Sequence, residues 1–79
     1  MNLAGAQRSV ARLCAALDGA TPSRAKSIAL THTETVVLII DANRDEQPSA
    51  LDKSCLATAL RFAEVWTDRA LREVPDGQS

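Results

Sequence analysis

The side chains best able to carry out chemistry are few and widely separated in this chain of 79 residues. His32 is the only histidine and has no cysteine near it, so a zinc site or a catalytic couple would need distant partners. Cys14 and Cys55 fall on or beside apolar helix faces, where we expect small buried side chains with reduced thiols. The three glycines are too scattered for a phosphate-binding loop or a dinucleotide fingerprint. We therefore expect no enzyme activity, no catalytic residues and no cofactor.

An acidic segment over residues 41–52 resembles part of an EF-hand calcium-binding loop. Oxygen-bearing side chains occupy ligand positions one, three, five, nine and twelve of that loop, namely Asp41, Asn43, Asp45, Ser49 and Asp52. The segment departs from the loop because Glu46 replaces the glycine of its sharp turn and Asp52 replaces its bidentate glutamate. A turn followed by a helix capped through Ser49 explains the same residues. We therefore assign no metal ligands and keep weak divalent-cation binding as a third hypothesis.

Two helices are predicted in the first thirty residues. From residue 2 to about residue 17, apolar side chains recur at spacings of three and four, namely Leu3, Ala6, Val10, Leu13 and Leu17. This stripe predicts an amphipathic N-terminal helix, for which Gly19 supplies the C-terminal stop. Thr21 can cap a following helix and Pro22 suits its first position, so a short helix is predicted over residues 22–29.

One central strand is predicted over about residues 33–41. Six of the eight residues from 33 to 40 are β-branched, and such side chains favour a pleated sheet over a helix. Both alternating faces become apolar after Thr35, which indicates a strand buried on both sides. A competing signal is Thr31-x-x-Glu34, a capping box that would begin a helix at the same place.

The C-terminal part of the chain is predicted to form one long helix. No glycine or proline occurs from Ser49 to about Val74. One face is formed by Leu51, Cys55, Ala59, Phe62, Trp66 and Ala70, with Leu56, Leu60 and Ala63 beside it. The expected fold is therefore mainly α with a minor β element, an α+β class, in a single domain over residues 1–74 with a frayed tail over residues 75–79.

This expected fold predicts association with a second copy. A helix of about 25 residues is about 37 Å long, which exceeds the width of so small a domain. A lone strand also leaves backbone groups unpaired, since residues 27–31 form only a weak candidate for a second strand. We therefore expect an intertwined or strand-paired homodimer.

The composition favours a cytoplasmic protein that does not enter membranes. The longest uninterrupted apolar run covers residues 36–40, far fewer than the roughly 20 residues that cross a bilayer. Arg8 and Arg12 interrupt the N-terminal apolar segment, so we do not expect a secretory leader.

The alternative function is that of a dimeric DNA-binding transcriptional regulator with a helix-turn-helix over residues 22–43. It would pack through Ala25, Ile28, Ala29 and Leu38, and Thr31 would cap a recognition helix presenting His32, Thr33, Thr35 and Asn43. That helix would carry Glu34 and Asp41 with no basic residue before Arg44, and the sequence pI is about 5.7. Phosphate binding requires positive charge, so we do not expect nucleic acid as the partner.

The chain's two aromatic residues, Phe62 and Trp66, lie four residues apart on the long helix. Both could pack in the core, or they could anchor another protein, since Trp is enriched at interface hot spots. Arg61, Arg69 and Arg72 would then form the rim of this site. We expect a small regulatory protein, an inhibitor or adaptor of bacterial or phage origin, that binds itself and another, unidentified protein.

Overall fold

The computed structural model describes residues 3–45 and 47–72, which form three α-helices. These are α1 (Leu3–Asp18), α2 (Arg24–Ala42) and α3 (Ala50–Arg72), and this described part of the chain contains no strand. The helices run up, down and up, since the end of α1, the beginning of α2 and the end of α3 share one buried cluster. Helices α2 and α3 form the most extensive pair, and α1 packs on both. The predicted α+β fold is therefore wrong, and the described chain is an all-α bundle measuring 47 × 19 × 16 Å.

Helix α1 confirms the prediction from the N-terminal apolar stripe. Ala6, Leu13 and Leu17 are buried, and the partly buried Leu3 and Val10 pack against them. The helix ends at Asp18, one residue before Gly19, and the Ala20 amide donates to the Leu17 carbonyl at 3.0 Å. The local sequence pattern was sufficient to predict α1 because its apolar stripe and its C-terminal stop signal indicate the same helix.

Helix α2 corrects the central part of the prediction. Residues 33–41 are helical, and the short helix expected over residues 22–29 is the beginning of the same continuous element. Ser23 caps it by accepting a hydrogen bond from the Lys26 amide at 3.1 Å. At the other end, the Asn43 side-chain amide donates to the Ile39 carbonyl at 2.9 Å. No break occurs near Thr31, so neither the capping box nor the helix-turn-helix predicted there is formed.

Tertiary packing overrides β-propensity in α2. Its buried residues follow a helical spacing and form a stripe against α1 and α3, namely Ala25, Ala29, Thr33, Val36 and Ile40. The hydroxyls of Thr31, Thr33 and Thr35 donate to the carbonyls four residues earlier, at 2.8 to 3.1 Å, so these polar groups are satisfied within the helix. A strand-paired homodimer therefore loses its basis, because these residues offer no strand edge.

Helix α3 confirms the predicted long helix and its cap. Ser49 accepts a hydrogen bond from the Asp52 amide at 3.0 Å, and the described helix ends at Arg72. The predicted tail over residues 75–79 lies outside the described residues. The buried residues of α3 are Leu56, Ala59, Leu60, Ala63, Thr67 and Ala70. The predicted apolar face is divided between core and surface, since Ala59 and Ala70 are buried whereas Leu51, Cys55 and Phe62 are exposed.

The core is built largely from small side chains. Half of its twelve buried hydrophobic residues are alanines, and the largest fully buried side chains are Leu17, Leu56, Leu60 and Val36. Alanine at helix contacts lets the backbones approach closely, but it buries little apolar area. None of the three described helices has the length and apolarity required to cross a membrane.

Candidate functional site

A shallow groove on the outer side of α3 gathers most of the residues predicted to bind protein. Its volume is about 470 Å³, and it is lined by Thr58, Arg61, Phe62, Val65, Trp66 and Arg69. We call these six residues the outer groove. Phe62 and Val65 are each 48% exposed, which is unusual for large apolar side chains that lie side by side on one helix.

The outer groove faces away from α1. Glu64 lies 4.0 Å from Arg12 of α1, which places α1 on the Glu64 side of α3. Phe62 precedes Glu64 by two residues, and two residues correspond to about 200° around an α-helix. All six lining residues belong to α3, and Phe62 and Val65 stay half exposed.

Helix α2 supports one wall of the outer groove. The rings of His32 and Phe62 stack with centroids 5.4 Å apart and planes 24° apart. His32 is partly buried, and its ring lies against Phe62. The stack holds Phe62 in place from one side while the rest of its ring stays exposed.

Trp66 belongs both to the core and to the surface. It packs against the buried cluster of Leu17, Ala25, Ala29 and Ala70. The Arg69 guanidinium lies 4.9 Å from the centroid of its ring, within the range of a cation–π contact. Trp66 and Arg69 also line a neighbouring cleft of about 390 Å³ with Arg24, Ala25 and Ile28. The indole therefore packs between the core and an arginine.

The structure brings together four of the five predicted site residues. Arg61, Phe62, Trp66 and Arg69 line the outer groove, whereas Arg72 is not among its lining residues and pairs with Asp68 at 3.3 Å. Sequence reasoning missed Val65, Thr58 and the supporting His32. A second run of three-and-four spacing on α3 was the available signal for Val65 and Thr58.

Three of the five residues that resemble a calcium loop have structural roles. Asp41 pairs with Arg44 at 2.7 Å, Asn43 caps α2, and Ser49 caps α3. Within residues 3–45 and 47–72, no group of three or more His, Cys, Asp or Glu side chains is placed to hold a metal ion.

The two cysteines are free thiols in different surroundings. Cys14 is partly buried, as an apolar helix position suggests, but Cys55 is exposed, so the expectation that it is buried is wrong. Cys55 lies on α3 three residues before Thr58 of the outer groove.

No family model matches this chain, and no curated protein or solved structure is found to be similar to it. The function is therefore argued from the chemistry and geometry of the outer groove.

Proposed function

We propose that this chain is a small, non-catalytic regulatory protein, an inhibitor or adaptor, that acts in the cytoplasm by binding another protein through the outer groove. The observation that supports this proposal is the placement of apolar side chains on α3. Alanines face the core at positions 59, 63 and 70, whereas the larger Phe62 and Val65 are half exposed. A patch of exposed apolar side chains bordered by polar residues is typical of an interaction site.

The residue types in the outer groove suit a protein partner. Trp and Arg are enriched among the residues that contribute most to interface affinity, and the groove contains Trp66, Arg61 and Arg69. Trp66 is already held by the core and by Arg69, so binding would order few additional side chains. A surface that is rigid before binding loses less conformational entropy when the partner arrives.

The expected contribution of each apolar contact follows from its exposure. Full burial of a Phe or Val side chain stabilises by about 1.5 to 3 kcal/mol, so covering the exposed half contributes about 1 kcal/mol. One kcal/mol corresponds to about a fivefold change in affinity. Truncating Phe62 or Val65 is therefore expected to weaken binding about fivefold, and placing a charge in the groove should weaken it much more.

Capture from a lysate of the native host, with and without nuclease, tests the proposal. The wild-type chain is compared with Val65→Glu in the groove and with Leu71→Glu. Leu71 is a matched control because it lies on the same helix, is 54% exposed and does not line the groove. Circular dichroism of all three proteins verifies that they fold.

We expect a defined protein at near-stoichiometric amounts on the wild type and on Leu71→Glu after nuclease treatment, and its loss from Val65→Glu. Retention that disappears with nuclease would overturn the proposal in favour of nucleic-acid binding. Equal retention by Val65→Glu would show that the partner binds elsewhere on the chain.

A further inference from the structure

The outer groove belongs to a longer line of exposed positions along α3. Leu51, Cys55, Thr58, Phe62 and Val65 are separated by four, three, four and three residues, and all five are exposed. We call this line the α3 seam. Alternating spacings of three and four keep side chains on one strip of a helix, and this heptad pattern is the one through which helices pack against each other.

The α3 seam is separate from the face that packs the bundle. The core-facing residues of α3 include Leu56, Leu60 and Ala63, which are at most 1% exposed. The helix therefore carries two packing strips, of which one is covered by α1 and α2 and the other is open. The open strip spans fifteen residues, or about 21 Å at 1.5 Å per residue, which matches a helix of about four turns.

The charged side chains that line the outer groove and the neighbouring cleft are all arginines, although Glu64 and Asp68 are exposed nearby on α3. Arg61 and Arg69 line the outer groove and Arg24 lines the neighbouring cleft, while neither lining includes an acidic residue. The ion pairs within the described residues are Arg12–Glu64, Arg44–Asp41 and Arg72–Asp68, so none of these three arginines is neutralised there. A binding partner with carboxylates at its edges can pair with these three arginines, of which Arg69 also lies over the Trp66 ring.

We propose that the α3 seam binds an amphipathic α-helix of another protein, whose apolar residues repeat at three-and-four spacing and whose flanks carry Asp and Glu. This inference rests on the proposed function and names the chemistry of its partner. The partner helix covers Phe62 and Val65 with its apolar strip, while its acidic flanks pair with Arg61 and Arg69. Helix-in-groove recognition of this kind uses anchors that recur at helical spacing.

A second copy of this chain fits the groove less well. A two-fold axis through the groove would place a second Arg61 and a second Arg69 against the first pair, with no acid among the lining residues. Like charges brought together in an interface oppose association. The acidic helix of a different protein removes this repulsion and covers the same apolar side chains.

A display library of helical peptides tests the chemistry of the partner directly. Every peptide carries leucine at the positions of one heptad strip, while the flanking positions vary among Asp, Glu, Lys, Arg, Gln and Ser. Selection uses the full-length wild-type chain, with removal of peptides that also bind Val65→Gln, a neutral variant that does not itself select for peptide charge. We expect Asp and Glu to be enriched over Lys and Arg. Enrichment of Lys and Arg, or no enrichment over the starting library, would overturn the inference.

Binding titrations with one selected acidic peptide then test the arginines. The double variant Arg61→Gln/Arg69→Gln is expected to bind about tenfold more weakly, the effect of losing two partly exposed charge pairs. Arg72→Gln is the matched control because Arg72 lies on the same helix but outside the groove, and its affinity should change less than twofold. Equal affinity of the double variant and the wild type would contradict the assigned role of the two arginines.

Two further outcomes separate this inference from the proposed function. Sedimentation equilibrium of the wild type is expected to give a monomer, and a dimer that Val65→Glu dissociates would assign the seam to a second copy instead. A host protein that is lost from Val65→Glu but retained fully by Arg61→Gln/Arg69→Gln would support the proposed function and overturn the acidic helix.

Discussion

Two truncations on α3, Leu60→Ala and Phe62→Ala, distinguish the buried face of this helix from its open face. Leu60 is 1% exposed and lies in the core cluster with Leu56 and Val36, whereas Phe62 is 48% exposed. An interpretation from sequence alone assigns Phe62 to the principal apolar stripe and Leu60 to its margin. The structure reverses this ranking, so the two truncations should lower the free energy of unfolding by very different amounts.

The magnitudes follow from burial. Replacing a fully buried leucine with alanine typically costs 2 to 5 kcal/mol, and we expect about 3.5 kcal/mol at Leu60 because it is among the largest fully buried side chains. Phe62→Ala loses about half of a full burial together with the stack on His32, in total about 1.5 kcal/mol. A domain of this size is stable by roughly 4 to 12 kcal/mol, so the Leu60 variant loses a large fraction of its stability.

Urea unfolding followed by circular dichroism at 222 nm measures the free energy of unfolding of both variants. We expect a difference of about 2 kcal/mol between the variants, with similar denaturant slopes. The corresponding difference in melting temperature is about 8 to 16 °C for a domain of this length. A cost at Phe62 equal to that at Leu60 would refute the reasoning, because it would mean that the outer face is buried in the free protein.

Three smaller predictions follow from caps, buried polar atoms and thiols. The Thr67 hydroxyl is buried without a hydrogen-bond partner among the described residues, so Thr67→Val should raise the free energy of unfolding by about 1 kcal/mol in the same urea assay, and a loss would contradict this. Ser23→Ala removes the cap of α2 and should lower that free energy by about 1 kcal/mol, whereas no change would argue against the cap. Cys55 should react with a thiol reagent in the folded protein faster than Cys14, and equal rates would contradict their different exposures.

The parts of the fold that were predictable are those in which local signals agree. Helix α1 combines one apolar stripe with a stop near Gly19, and α3 combines a cap at Ser49 with a long stretch free of glycine and proline. Each signal acts within a few residues of the chain. The existence of these two helices and most of their boundaries therefore follow from sequence.

The centre of the chain was not predictable in the same way. Six β-branched residues over positions 33–40 favour a strand. The helical stripe that includes Thr33, Val36 and Ile40 is stabilised only when it packs against α1 and α3. Helix and strand propensities differ by less than about 1 kcal/mol per residue. Burial of a shared apolar face is larger than that difference, so tertiary packing decides the conformation.

Most residues of the candidate site could be proposed from the amino-acid sequence alone, and four of the five predicted residues line one groove. The sequence could not determine which of the two apolar strips of α3 faces the core, because both have helical spacing. Only the positions of α1 and α2 decide this: they cover the strip containing Leu56 and Leu60 and leave Phe62 and Val65 in solvent. A helix can carry apolar side chains on two faces. Which of the two faces is covered depends on how the whole chain folds.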